Sequence, residues 1–329
     1  MAIQLNPSKI PIWKNASELR LGIGDTGHEL GEISNAQERL INLLFAGVAE
    51  NQISLVGNSV GLSDLETREL VDRLRPSLIQ SAPGFGGNTA LNLRFAEVLR
   101  IGFQTEQSPM EVVARRANQT VELTRLDRTG LTVIKALSEN GFRNFNTQDF
   151  DLVGQADLGE LGYPNHLLGV SRVNAARTVL ESAATVIAIT PTSSAAETDQ
   201  TIRILSGMHR ILPKEYRHQN RPLLAIEYRL DSIFVSRVTQ HHINPCLTCR
   251  DLWENDTQPN WTTESIQLTG RMDQLDDGLN LLMASSIAAR NICSFVDSND
   301  GVNTLVNLKD RSMRESNWQR HEGCGCSEL

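Results

Sequence analysis

Thr120-Val-Glu-Leu-Thr-Arg-Leu-Asp-Arg-Thr-Gly130, continued by Leu131-Thr-Val-Ile-Lys-Ala-Leu-Ser-Glu-Asn-Gly-Phe-Arg-Asn-Phe-Asn-Thr-Gln-Asp149-Phe-Asp151, holds the change of period that decides the fold. Thr120 to Thr124 alternates apolar and polar residues, which predicts a strand. Thr129 to Glu139 sets Leu131, Val133, Ile134 and Leu137 at helical spacing, and Asn140-Gly141 ends that helix. Phe142 to Gln148 reads as the next strand, with Asp149 at its carboxy end. Together these make a βαβ unit. Its acidic residue stands about twenty positions beyond the first turn, where a nucleotide-binding sheet places a carboxylate on a ribose. Further strands are expected at Thr185 to Thr190 and Leu223 to Arg229, with helices near Val170 to Ala183 and Ala195 to Arg210. The alternation predicts a doubly wound α/β domain.

The turn after the first strand tests for a ligand. Glycines there let backbone amides approach a pyrophosphate at the head of the following helix. In Thr124-Arg-Leu-Asp-Arg-Thr-Gly130 only the final glycine remains. Asp127 places negative charge where a phosphate would approach, and Arg125 and Arg128 offset it in part. Two readings stand: a structural turn without ligand, or a residual nucleotide site.

Upstream, Leu19, Leu21 and Ile23 suit a short strand between Gly22 and Gly24. Ser34 with Gln37, and Ser63 with Glu66, are spaced as capping boxes for two helices, the second stopped by Pro76. Leu40, Ile41, Leu44, Leu70 and Leu74 lie on their apolar faces. This predicts a small winged-helix-like α+β module over residues 1–82, a linker with connecting helices over 83–116, and the α/β domain over 117–329. The Gly- and Pro-rich stretch Ser81 to Thr89 reads as linker; it lacks the flanking strand and Lys-Ser/Thr pair of a phosphate loop.

Composition narrows the classes. The 329 residues carry 31 Lys and Arg against 39 Asp and Glu, a net charge of -8, which disfavours a nucleic-acid partner. The start, Met1 to Pro7, lacks the basic-then-apolar pattern of a signal peptide. By inspection no apolar run approaches the ~18 residues of a membrane span. A cytoplasmic protein is expected, and its five cysteines then need a reason other than disulfides.

Four of them supply it. Cys246-Leu-Thr-Cys249 and Cys324-Gly-Cys326 are close pairs on distant, turn-prone segments, and two such knuckles build a closed tetrahedral zinc site. His321 is the substitute ligand should one cysteine be out of reach. Cys293, on an apolar helix from Gly278 to Phe295, reads as a core residue rather than a nucleophile.

From about Ala117 onward the chain resembles the ThiF/MoeB/HesA family of ubiquitin-activating-enzyme-like adenylating proteins. Asp149-Phe-Asp151-Leu-Val153 is similar to the family's Asp-x-Asp-x-Val, and the cysteine knuckles fall in the family's order. Pro245-Cys-Leu-Thr-Cys-Arg-Asp-Leu252, Pro259-Asn-Trp261 and His321-Glu-Gly-Cys-Gly-Cys326 resemble more narrowly the ThiF-like proteins of thiazole/oxazole-modified peptide biosynthesis. There a small clamp ahead of the Rossmann-like domain takes a leader peptide as an added strand, beside a cyclodehydratase partner. The resemblance implies zinc, a peptide, a modifying enzyme, a homodimer, and ATP with magnesium at Gly130, Asp149, Asp151 and Arg172.

The departures argue against the nucleotide. Asp157-Leu-Gly-Glu-Leu161 stands where the family has Asn-Leu-x-Arg-Gln, so Glu160 replaces a phosphate-binding arginine. Arg172 replaces a phosphate-binding lysine. No magnesium-binding aspartate follows Thr190, where the chain reads Pro191-Thr-Ser-Ser194. Two functions are therefore expected in competition: a noncatalytic scaffold presenting a leader-like peptide to a modifying enzyme, or an ATP-dependent adenylyltransferase activating a carboxylate of a peptide or sulfur-carrier protein.

Overall fold

The computed structural model describes residues 2–24, 27–81, 99–103, 107–181, 187–192, 200–207, 221–240, 245–258, 260–268 and 275–326. The chain forms two compact units, Met1–Arg115 and Arg116–Leu329.

The first unit is α+β. Strand β1 (Ala2–Leu5) pairs antiparallel with β5 (Val48–Ala49) and with β6 (Leu78–Ser81). A second sheet has the order β2 (Pro11–Trp13), β3 (Glu18–Leu21), β4 (His28–Glu32), all antiparallel, with a bulge between Leu19 and Arg20. Helices α1 (Asn35–Ala46), α2 (Ile53–Ser59) and α3 (Asp64–Leu74) complete it. Both expected capping boxes form, Ser34 with Gln37 on α1 and Ser63 with Glu66 on α3. The short α2 escapes sequence reading: it has no capping side chain and its one buried residue is Gly57.

Burial corrects one expectation. Leu19 and Leu21 lie on the middle strand, facing a core shared with Leu40, Ile41, Leu44, Leu70 and Leu74, while Ile23 lies beyond the strand and is 67 % exposed. The leucines fill the unit's own interior, and among the described residues the edges of this sheet are β2 and β4.

In the second unit β7 (Thr120–Leu123), β8 (Asn144–Thr147), β9 (Ala188–Pro191), β10 (Ile202–Gly207) and β11 (Leu223–Tyr228) form a parallel sheet. Their spatial order is β9-β8-β7-β10-β11, the doubly wound arrangement in which the order reverses beside the first strand. Antiparallel β12 (Ser232–Val235), β13 (Thr304–Asn307) and β14 (Met313–Glu315) extend the sheet to eight. Helix α4 (Pro109–Asn118) leads in. Helix α5 (Arg128–Glu139) follows β7, and α6 (Arg172–Glu181) joins β8 to β9. Helices α7 (Leu247–Thr257), α8 (Trp261–Leu268) and α9 (Gly278–Ser298) precede β13.

The larger core lies on one face of the sheet, where Val121, Leu123, Ile204, Leu224 and Ile226 pack under α5 and α9. The other face places Leu205, Leu223, Ala225 and Phe234 against Leu247 of α7. Cys293 on α9 packs at the edge of the larger core. Burial pushes its thiol up to about 11, which leaves it unionised at neutral pH.

Two further expectations change. Ile202 to Gly207, inside the helix read from Ala195 to Arg210, is a strand buried at all six positions. A strand buried on both faces loses its alternation, so period alone cannot separate it from a buried helix. The rest of that segment, apart from Gln200 and Thr201, falls outside the described residues, as do 82–89 of the linker, 182–183 of the helix read from Val170, and 185–186 of the strand ending at Thr190. The stretch Gly278–Ser298 is long and apolar enough to cross a membrane by length and composition, which corrects the expectation that no run approaches a span. Its Leu281, Ala284, Ser285, Ala288, Ala289, Asn291 and Ile292 are buried, as in a core helix.

Candidate nucleotide crevice and metal centre

The reversal of strand order opens a crevice beyond the carboxy ends of β7, β10 and β11, where ligands of such sheets bind. Asp127, Thr129, Ala156, Asp157, Gly207, Tyr228 and Asp276 line a narrow cleft there, with an internal volume of about 10 Å³.

Gly130 is required by packing. A Cβ at this position would stand 2.2 Å from the Arg125 carbonyl oxygen and 3.3 Å from Leu123 Cδ2. Close approach of helix to strand is the task of the last glycine of a nucleotide-binding turn, and it persists here. The amino terminus of that helix carries a side chain of its own. Asp127 is the N-cap of α5, its Oδ1 accepting from the Gly130 amide at 3.0 Å. The helix terminus that would attract an anion therefore already holds one. Burial pushes the Asp127 carboxyl above its ordinary range, opposed by the Gly130 amide and by Arg125, whose Nε lies 3.3 Å away.

Asp149 is similarly engaged. Its Oδ2 accepts from the Leu126 amide at 2.6 Å and from Arg172 Nη1 at 3.1 Å, and its Oδ1 accepts from the Asp151 amide at 2.9 Å. Arg172 also clamps Asp157, with Nε donating at 3.0 Å and Nη2 at 2.9 and 3.1 Å. Burial works against the Arg172 charge, but Asp149 and Asp157 overcome it and hold the guanidinium protonated. Asp151, 3.4 Å from Arg172, keeps an exposed side chain.

Tyr163 donates to the Leu126 carbonyl at 2.6 Å, and the Thr129 and Tyr228 hydroxyls meet at 3.0 Å. Asp157 and Tyr163 were missed in the sequence because their partners lie 15 and 37 positions away. Glu160, which replaces the family's phosphate-binding arginine, is exposed in the turn from Gly159 to Gly162 and does not line the cleft, whereas Asp157 does.

The four cysteines converge. Their Sγ atoms all lie within 4.8 Å of one another, with Cys246 to Cys324 at 3.4 Å, Cys249 to Cys326 at 3.2 Å and Cys246 to Cys249 at 3.7 Å. Four thiolates at ~2.3 Å from one tetrahedral ion stand about 3.8 Å apart, a spacing that lies within the range these sulfurs span. The cluster can hold a metal ion such as zinc.

Its electrostatics fit a bound cation. Burial pushes the Cys324 and Cys326 thiols up, Cys326 to about 11, with their sulfur neighbours adding to the rise. Burial also opposes ionisation of Cys249, but hydrogen bonds from the His321 backbone and from the Cys326 and Cys324 thiols bring it below its ordinary value. Cys246 is the N-cap of α7, and Cys249 lies in the first turn.

With all four sulfurs in reach, His321 is not needed as a ligand. Its Nδ1 accepts from the Gly323 amide at 3.0 Å, which leaves Nε2 to donate to Asp256 at 2.8 Å, and its ring stands edge-on to Trp253. Trp318 Nε1 donates to the Cys246 carbonyl at 3.0 Å while its ring packs against Phe234. Arg250, one residue beyond Cys249, reaches Glu227 of β11 at 2.6 Å and lies over the Phe234 ring. The centre is thereby anchored to the sheet.

No protein-family model and no curated protein matches this sequence. Solved structures do match. E. coli MccB with succinimide gives a TM-score of 0.67 at 12% identity, covering 100% of this chain and 99% of that one. This chain has the MccB fold. The microcin C7 biosynthetic enzyme MccB in complex with N-formylated MccA gives 0.67 at 12% identity, covering 99% of this chain and 100% of its own. A heterocyclase in complex with substrate and cofactor gives 0.63 at 13% identity, covering 99% of this chain, which spans 39% of the heterocyclase. At these identities the likeness is one of fold alone.

Proposed function

We propose that the chain is a noncatalytic scaffold of peptide modification. Its first unit, winged-helix-like, receives a leader-like peptide by strand addition, and its ThiF-like second unit presents that peptide to a modifying enzyme in the cytoplasm. The observation that carries the proposal is the occupied crevice: Asp127 fills the anion position at α5, and Arg172, the candidate phosphate-binding cation, is clamped between Asp149 and Asp157. Adenylyl transfer needs donors aimed at developing phosphate charge, and here those donors already serve carboxylates of the chain. MccB, of the same fold, is known in complex with MccA and with ATP, which supports a peptide partner and supplies the competing reading of an active adenylyltransferase.

Zinc, held by Cys246, Cys249, Cys324 and Cys326, is structural in this reading. When bound it supplies four metal–sulfur bonds that tie residues 318–326 to α7, and no position is left open for substrate. A homodimer is part of the proposal.

Exchange of labelled pyrophosphate into ATP tests the choice. The scaffold reading expects none above a protein-free control, with candidate leader peptide present. Exchange that depends on Arg172 establishes the adenylyltransferase instead.

A further inference from the structure

Among the described residues, the sheet β2-β3-β4 has two edges without a neighbouring strand, and they differ. On β2, Pro11 supplies no N–H, and Ile12 and Trp13 are exposed. On β4 the outward carbonyls are occupied. The Arg73 guanidinium of α3 donates to the Leu30 carbonyl, and its Nη2 lies 3.5 Å from the Glu32 carbonyl. Leu30 is the extra residue of the β3–β4 bulge, so its peptide group turns away from β3. Arg73 thus sits where the N–H groups of an added strand would donate.

We infer that Arg73 is a displaceable plug on the β4 edge, and that the strand which replaces it carries a carboxylate facing α3. This rests on the proposal that the unit binds peptide. The first half follows from competition for acceptors: a guest strand running along β4 bonds to Leu30 and Glu32 only by taking their carbonyls from the guanidinium. The second follows from the fate of the cation. Arg73 is already half-buried, and a guest laid over the edge shields it further from water. A shielded guanidinium without an acceptor is costly, and an acidic guest side chain satisfies it bidentately. Within the chain, Glu29 is held by Lys14 at 2.7 Å, and exposed Glu69, one turn before Arg73 on α3, is the competing acceptor. Arg73 therefore both blunts an aggregation-prone edge and selects what opens it.

The test uses the full chain and synthetic nine-residue strands of alternating Thr and Val whose central residue is Glu, Gln or Lys. Binding is read by fluorescence anisotropy and its location by amide exchange. The wild-type chain should prefer the Glu strand over the Lys strand by about tenfold, one charge-assisted pair being worth about 1.4 kcal/mol. Protection should appear at His28–Glu32. Arg73→Ala should bind all three strands, more tightly than wild type binds the Gln strand, and without preference. Arg73→Lys, which keeps the charge but loses the fork, should retain a weakened preference.

Equal wild-type binding of the three strands assigns the displaced cation to Glu69 and overturns the selectivity. Protection at Pro11–Trp13 in both proteins overturns the plug while leaving a peptide-binding unit. Failure of any strand to bind Arg73→Ala, whose edge is bare, overturns the assignment of a guest strand to β4. If a cognate leader peptide also leaves residues 2–81 unprotected, the peptide reading falls with it.

Discussion

Arg172 is the side chain on which the proposal of an occupied crevice turns. It is buried among Asp149, Asp151 and Asp157, and its bidentate grip on Asp157 occupies the geometry a phosphate would need. Arg172→Ala strands two buried carboxylates, so chemical denaturation should show a loss of about 3–5 kcal/mol. Gly130→Ala drives a Cβ into the Arg125 carbonyl and should cost about 1–3 kcal/mol in the same assay. Asp127 gives a pH signature of definite sign. Its carboxyl is raised in the folded chain, so between its ordinary value and the raised one the folded state binds more protons than the unfolded state. Stability from this group is greatest at low pH and falls as pH rises through that window. Asp127→Asn should remove this component from the dependence of unfolding free energy on pH; an unchanged profile contradicts it. In the sequence, Gly130, Asp149 and Arg172 could be found as positions. What they do could not, because their bonds reach to Arg125, Leu126 and Asp157 across loops of no regular period.

At the level of elements, legibility followed local chemistry. Both capping boxes are contained within four residues, and both were readable. Ser34→Ala and Ser63→Ala should each lower stability by about 1 kcal/mol, nearly additively because α1 and α3 have separate caps, as a double-variant melt can check. Strand β10 was misread as helix since its neighbours β7 and β11 and layers on both faces leave no polar side to mark the period. The strands of the first unit are two to five residues long, and β1 closes with β6 more than seventy positions away. Such pairing is specified by topology, which a window of sequence does not contain. The cysteines were legible for the opposite reason: two pairs of sulfurs at close spacing between turn formers carry their own local signature of a metal site.

For the whole molecule, metal tests the cysteine centre and nucleotide separates the two readings of a fold shared with MccB. Zinc should copurify at one equivalent per chain, and its removal by chelator should expose four thiols and loosen residues 318–326 to protease; metal-free protein with a protected tail contradicts a structural centre. The nucleotide result decides the larger question, because the account holds that Asp127, Arg172 and their partners have filled the crevice from within. Calorimetric titration of the full-length protein with ATP and magnesium tests that most directly. The account predicts no saturable heat of binding. Saturable micromolar binding that disappears in Asp149→Ala would contradict it and identify the crevice as a working nucleotide site.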